Sequence, residues 1–86
     1  MFDGKKILVT GGTGTFGNAF VSRALNTNAE EIRVFSRDEL KQDNMRRKYQ
    51  TDRIRYIIGD VRDYRTVEQA VDGVDYIFHA AALKQV

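Results

Sequence analysis

Apolar and polar positions follow two rhythms along this chain. Lys6–Thr10 holds the short apolar run Ile7-Leu8-Val9 between glycines, the pattern of a buried strand. From Phe16 to Leu25, the apolar residues Phe16, Ala19, Phe20, Val21, Ala24 and Leu25 recur at helical spacing, and Asn26-Thr27-Asn28 closes the segment. The run from Glu31 to Phe35 predicts a second strand. Glu39 to Tyr49 predicts a polar helix with Leu40, Met45 and Tyr49 as its thin apolar stripe. A third strand follows from Arg53 to Ile58. Tyr64 to Val71 predicts a third helix, with Asp63 as its N-cap and Val67, Ala70 and Val71 on its apolar face. Asp75 to His79 reads as a fourth strand, after which residues 81–86 begin a further connection.

Strand and helix alternate throughout with short loops, which implies parallel strands joined by crossovers. The expected fold is α/β: a Rossmann-type sheet in the order 3-2-1-4 with helices on both faces, truncated after the fourth strand. Residues 1–86 would form the N-terminal part of such a domain.

Composition narrows the classes without choosing among them. With 86 residues, 42% hydrophobic and 30% charged, the chain suits one small globular unit. A net charge of +2 from interspersed acids and bases is too weak to argue for nucleic acid. No long apolar run suggests membrane insertion or a signal peptide, so the cytoplasm is the expected location. Cysteine is absent, which excludes disulfides and thiolate metal ligands.

The candidate chemistry begins at Thr10-Gly-Gly-Thr-Gly-Thr-Phe-Gly17, which contains four of the seven glycines. Gly11, Gly14 and Gly17 are spaced by two residues between a strand and a helix, in the setting of a dinucleotide-binding turn. Gly11 suits a turn needing positive φ. At Gly14 the missing Cβ lets the main chain approach a pyrophosphate, and Gly17 lets the helix pack closely on the strand. The N–H groups of the first helical turn then face the phosphates, with Thr13 and Thr15 adding hydroxyl donors. A nucleotide-triphosphate loop would end Gly-Lys-Ser/Thr, whereas Asn18-Ala19 follow Gly17 here.

About 20 residues further on, NAD binders usually carry an acid for the ribose hydroxyls. This chain reads Phe35-Ser36-Arg37-Asp38. A hydroxyl and a guanidinium beside the strand favour NADP, with Lys41 adding charge to a 2′-phosphate site. Asp38 keeps NAD as the alternative, and as a plain N-cap it would leave Arg37 and Lys41 solvated. Beyond the third strand, Asp60 suits an acceptor for the adenine amino group and Val61 a packing surface for its ring, although either Asp60 or Asp63 also suits a helix cap. Small residues after His79 let a ribose lie against the backbone. His79 has no ligand partners nearby and reads as a hydrogen-bonded core histidine. Arg46-Arg47-Lys48 reads as a solvated face rather than a nucleic-acid patch.

The stretches ILVTGGTGTFG, FSRDELKQ, YIIGDVRD and HAAALKQV resemble the N-terminal part of the extended short-chain dehydrogenases. More narrowly, they resemble the UDP-N-acetylglucosamine 4,6-dehydratases of bacterial surface-polysaccharide synthesis, including the inverting, 5-epimerising ones. The resemblance implies NADP contacts at Thr13, Gly14, Thr15 and Phe16. It implies further contacts at Ser36, Arg37, Asp38, Glu39, Leu40 and Lys41, at Asp60 and Val61, and at Ala80. Lys84 is implied, by resemblance alone, to lie where cofactor and nucleotide sugar meet. In such enzymes hydride leaves sugar C4, water leaves across C5 and C6, and the hydride returns to C6, so the net reaction is that of a lyase.

That family's acid/base residues lie in a Tyr-x-x-x-Lys or Met-x-x-x-Lys setting, and none of the four tyrosines here has Lys four residues later. The chain is therefore expected to be an N-terminal fragment without catalytic residues or substrate domain, inactive alone. A fragment of a nucleotide-sugar 4-epimerase or reductase, and a non-catalytic NAD(P)-binding module, are the competing readings. The free edge of the fourth strand is expected to favour self-association or a homo-oligomer.

Overall fold

The computed structural model describes residues 2–80. Along the chain run β1 (Lys6–Thr10), α1 (Thr15–Leu25), β2 (Glu31–Ser36), α2 (Glu39–Tyr49), β3 (Ile54–Ile58), α3 (Tyr64–Val71) and β4 (Tyr76–His79). The strands form one sheet in the order β3-β2-β1-β4, and every pairing is parallel. Register runs Thr10 to Phe35 between β1 and β2, Ser36 to Ile58 between β2 and β3, and Thr10 to His79 between β1 and β4. The carboxyl ends of all four strands therefore meet along one rim.

Side chains of a strand alternate between faces. Ile7, Val9, Ile32, Val34 and Ile54 point to one face and pack with Val21 and Ala24 of α1 and Met45 of α2. Leu8 and Phe35 point to the other and pack with Ala70 of α3, flanked by Ile57, Val67, Val71 and Val74. This two-sided cover explains why β1 reads as a continuous apolar run rather than an alternating one.

The expected element order and sheet order are those observed; strand and helix ends move by a residue. β2 continues through Ser36, whose carbonyl accepts the Gly59 N–H at 2.9 Å. A larger difference concerns α2. Leu40 is 70% exposed rather than part of an apolar stripe, and Gln42 takes the inward place. The Asp38 cap sets the phase of the helix, so that positions 42, 45 and 49 face the sheet. Phe16 likewise turns outward, because Gly17, Val21 and Ala24 form the buried face of α1.

Two arginines are built into the frame. Arg53 donates to three backbone carbonyls at the opposite rim: Leu25 at 3.0 Å, Thr27 at 2.8 Å and Ala29 at 2.8 Å. Arg33, buried on β2, pairs with Glu31 at 2.6 Å and donates to the Ala70 carbonyl at 2.8 Å, a favourable cation near the carboxyl end of α3. No helix among the described residues is long and apolar enough to cross a membrane.

Candidate functional site

The site begins where β1 turns into α1. Gly11 has φ of +68°, a conformation that side chains disfavour, and its N–H donates to the Phe35 carbonyl at 2.9 Å. Gly14 is the extended N-cap residue of α1. A Cβ on Gly17 would stand 2.4 Å from Gly12 Cα and 2.5 Å from the Gly11 carbonyl oxygen. Gly17 thus lets α1 close onto the turn's own backbone, just beyond the strand. Asn18 braces the turn by donating to the carbonyls of Thr13 at 3.3 Å and Gly14 at 3.4 Å, and its Oδ1 accepts from the Tyr49 hydroxyl at 3.0 Å.

The three helices begin differently. Asp38 caps α2 by accepting from the Lys41 N–H at 3.0 Å. Asp63 caps α3 by accepting from the Arg65 N–H at 3.1 Å and the Thr66 hydroxyl at 2.9 Å. Among the described residues no side chain caps α1, and its first turn carries no acid. An uncapped helix start presents amides and a partial positive charge to an outside anion.

A groove of about 870 Å³ extends from this turn along the rim. Gly11, Thr13, Ser36, Arg37, Asp38, Glu39, Lys41, Asp60 and Val61, all expected from the sequence, line it together. Phe35, Gly59 and Arg62 line it as well and were not anticipated. Gly14, Thr15, Phe16 and Gly17 stand at the start of α1 rather than in the groove lining, and Leu40 is exposed and does not line it. Ala80 is fully buried in the core beside α1, so its methyl is no part of the groove. Lys84 lies outside the described residues. His79 shares a hydrogen bond of 2.9 Å with the Thr10 hydroxyl, as a bonded histidine should, but sits exposed on the edge strand rather than in the core.

The charges are balanced in number and uneven in commitment. Arg62 clasps the Asp60 carboxylate, with Nη2 at 2.6 Å and Nε at 3.1 Å from each oxygen. Arg37 reaches the same carboxylate only at 3.6 Å and is 72% exposed. Side-chain and backbone hydrogen bonds from Arg62 hold the Asp60 carboxyl well below the usual carboxylate range; desolvation opposes them, and the charges of Arg62 and Arg37 add smaller lowering effects. Asp38 is engaged as a cap, whereas among the described residues the Arg37 and Lys41 side chains make no hydrogen bond to protein acceptors. Away from the groove, Arg46 and Arg47 pair with Asp43 at 3.6 and 2.9 Å, consistent with a solvated helix face.

Gln42 is the most consequential residue that the sequence reading missed. It is buried, and its Nε2 donates to the Ser36 hydroxyl at 3.0 Å and to the Ile57 carbonyl at 2.9 Å. The available signal was its spacing of three from Met45, a polar residue on the inward face of a helix.

Comparison with known proteins gives a consistent result. A family model described as "Polysaccharide biosynthesis protein" matches residues 7–86. A relative from Rickettsia prowazekii, named UDP-glucose 4-epimerase, is 53% identical over 90 residues, covering all of this chain and 26% of that protein. The structure of Pen from Bacillus thuringiensis is 40% identical with a TM-score of 0.89, over 92% of this chain and 25% of that one. The enzyme WbmF from Bordetella bronchiseptica, solved in complex with NAD+, shares the fold at 20% identity and a TM-score of 0.72, over 91% of this chain and 23% of that one. The chain spans about a quarter of the length of these relatives.

Proposed function

The chain belongs to the polysaccharide biosynthesis protein family, within the extended short-chain dehydrogenases, and from that premise we propose that it grips a nicotinamide dinucleotide for nucleotide-sugar chemistry. The observation that carries this reading is that α1 has no side-chain cap among the described residues and follows directly on the turn whose Gly11 and Thr13 line the groove, while its two sister helices are capped by aspartates. The amides of that turn hold the diphosphate, and the absence of a Cβ at Gly17 keeps the turn in place. Asp60 and Val61 receive the adenine. Ser36, Arg37 and Lys41 surround the adenosine ribose, and their donors, without hydrogen-bond acceptors among the described residues, favour NADP over NAD. When bound, the nicotinamide supplies reversible hydride transfer at a sugar carbon.

The proposed parent activity is 4,6-dehydration of a nucleotide sugar of the UDP-N-acetylglucosamine class, which the motifs SRDELKQ and AALKQV favour. The names of the Rickettsia relatives support a second reading, 4-epimerisation of a UDP-sugar. Mass spectrometry of the product separates them in a protein of the relatives' length, because dehydration removes one water and epimerisation removes nothing.

Cofactor binding is tested on the chain itself by melting it with NADP or NAD. A ligand at a hundred times its dissociation constant stabilises by about 2.7 kcal/mol. The expected outcome is an upward shift with both and tighter binding of NADP, without turnover of sugar. A chain whose melting responds to neither dinucleotide refutes the reading.

A further inference from the structure

The chemistry of Gln42 determines which way the Ser36 hydroxyl works. A backbone carbonyl can only accept, so the Gln42 atom 2.9 Å from the Ile57 oxygen is the amide nitrogen. That nitrogen has two protons. One goes to Ile57, and the other goes to Ser36 Oγ at 3.0 Å. The Ser36 oxygen is therefore an acceptor toward the protein interior. Its own proton has no protein acceptor among the described residues, and Ser36 lines the groove. Both residues are buried, Ser36 at 8% and Gln42 at 2% exposure, so neither reorients freely.

We propose that Gln42 is a positioning residue for dinucleotide selectivity: it holds the Ser36 hydroxyl as a donor toward the groove, matched to the acceptor-only 2′-phosphate of NADP. This rests on the reading of the groove as a dinucleotide site and adds to it a selectivity device behind the contact surface. A ribose diol offers protons and is best met by a carboxylate, as in NAD-preferring sites. Here the inner lone pair of the hydroxyl is already occupied by Gln42, so the pair suits a phosphate better than a diol. Arg37 and Lys41 supply the charge, and Gln42 with Ser36 supplies a donor of fixed direction.

The test is a double-mutant cycle in binding, read by calorimetry with NADP and NAD on the intact chain. Ser36→Ala is expected to weaken NADP about tenfold, the loss of one charge-assisted hydrogen bond, and to leave NAD within about twofold. Gln42→Met keeps the volume but removes both donors, and is expected to weaken NADP severalfold with the same sparing of NAD. In the Ser36→Ala background, Gln42→Met is expected to add no further loss of NADP affinity, because its effect passes through that hydroxyl. A purely structural role would weaken both dinucleotides alike, and that result overturns the proposal. So does an unchanged NADP affinity in Ser36→Ala, which decides the matter alone if Gln42→Met fails to fold. A wild-type chain that binds neither dinucleotide overturns the groove reading and this proposal together, whereas normal binding with an unmoved NADP-to-NAD ratio in the variants overturns this proposal only.

Discussion

At one rim of the sheet, Arg53 places its guanidinium against the carbonyls of Leu25, Thr27 and Ala29. At the other rim, Arg37 lines the groove and, among the described residues, meets only the distant Asp60 at 3.6 Å. The residue type is the same and the use is opposite. Arg53 satisfies carbonyls left by the end of α1 and the loop that follows, so its donors belong to the fold. Arg37 holds most of its donors unpaired among the described residues, in the groove that the Gly11 and Thr13 turn also lines. The difference teaches that a parallel sheet separates its labours by rim: the amino rim is closed by protein groups, and the carboxyl rim leaves polar groups waiting for a ligand.

The sharpest way to break this contrast is to remove each arginine in turn. Arg53→Ala leaves three carbonyls without their cationic donor and is expected to cost about 3 kcal/mol in urea unfolding. That is a large part of what a chain of this size possesses. Arg37→Ala is expected to leave the unfolding midpoint unmoved and to weaken NADP instead. A cost below about 1 kcal/mol for Arg53→Ala would erase the distinction.

A second comparison lies within the carboxyl rim, between capped and uncapped helices. Asp38→Ala removes the acceptor for the Lys41 N–H and is expected to destabilise by about 1 kcal/mol in thermal unfolding. Gly14→Asp supplies α1 with the cap it lacks. It is expected to raise stability by a few tenths of a kcal/mol and to abolish dinucleotide binding, because the carboxylate occupies the amides meant for phosphate. If Gly14→Asp binds NADP as the parent does, the α1 amides are not the diphosphate site.

The smallest expected effect concerns pH. The folded-state pKa of Asp60 is lowered, so its contribution to stability is fully present above the unfolded value of about 3.9 and fades as pH falls through the folded value. Asp60→Asn is expected to flatten the acid limb of the stability profile below about pH 4 and to leave the profile between pH 5 and 7 parallel to that of the parent. Because the carboxylate is shared by two exposed arginines, the change is expected to be slight, and an acid limb that steepens would contradict the assignment.

Most of the architecture was legible because it follows from local pattern. Ile7-Leu8-Val9 and Glu31-to-Phe35 announce strands, the glycine turn announces the junction, and Asp63 announces a cap. The groove's composition followed from knowing that strand ends meet along one rim. Leu40 and Phe16 were misplaced for one reason: in a short helix with few apolar residues, periodicity leaves the phase underdetermined, and the cap and the neighbouring strand set it. Arg62, Gln42 and Asn18 were missed because their partners lie across the fold or depend on a turn's exact geometry.

The sequence by itself determined the order of elements, the parallel sheet and the backbone freedom of the glycine turn, since these depend on residue type and spacing within a few positions. Tertiary structure alone decided which arginine closes a rim and which stays open, and which lone pair of the Ser36 hydroxyl is occupied. Those are properties of pairs far apart in the chain, such as Arg53 with Leu25 and Gln42 with Ile57, and only packing brings such pairs within hydrogen-bond range.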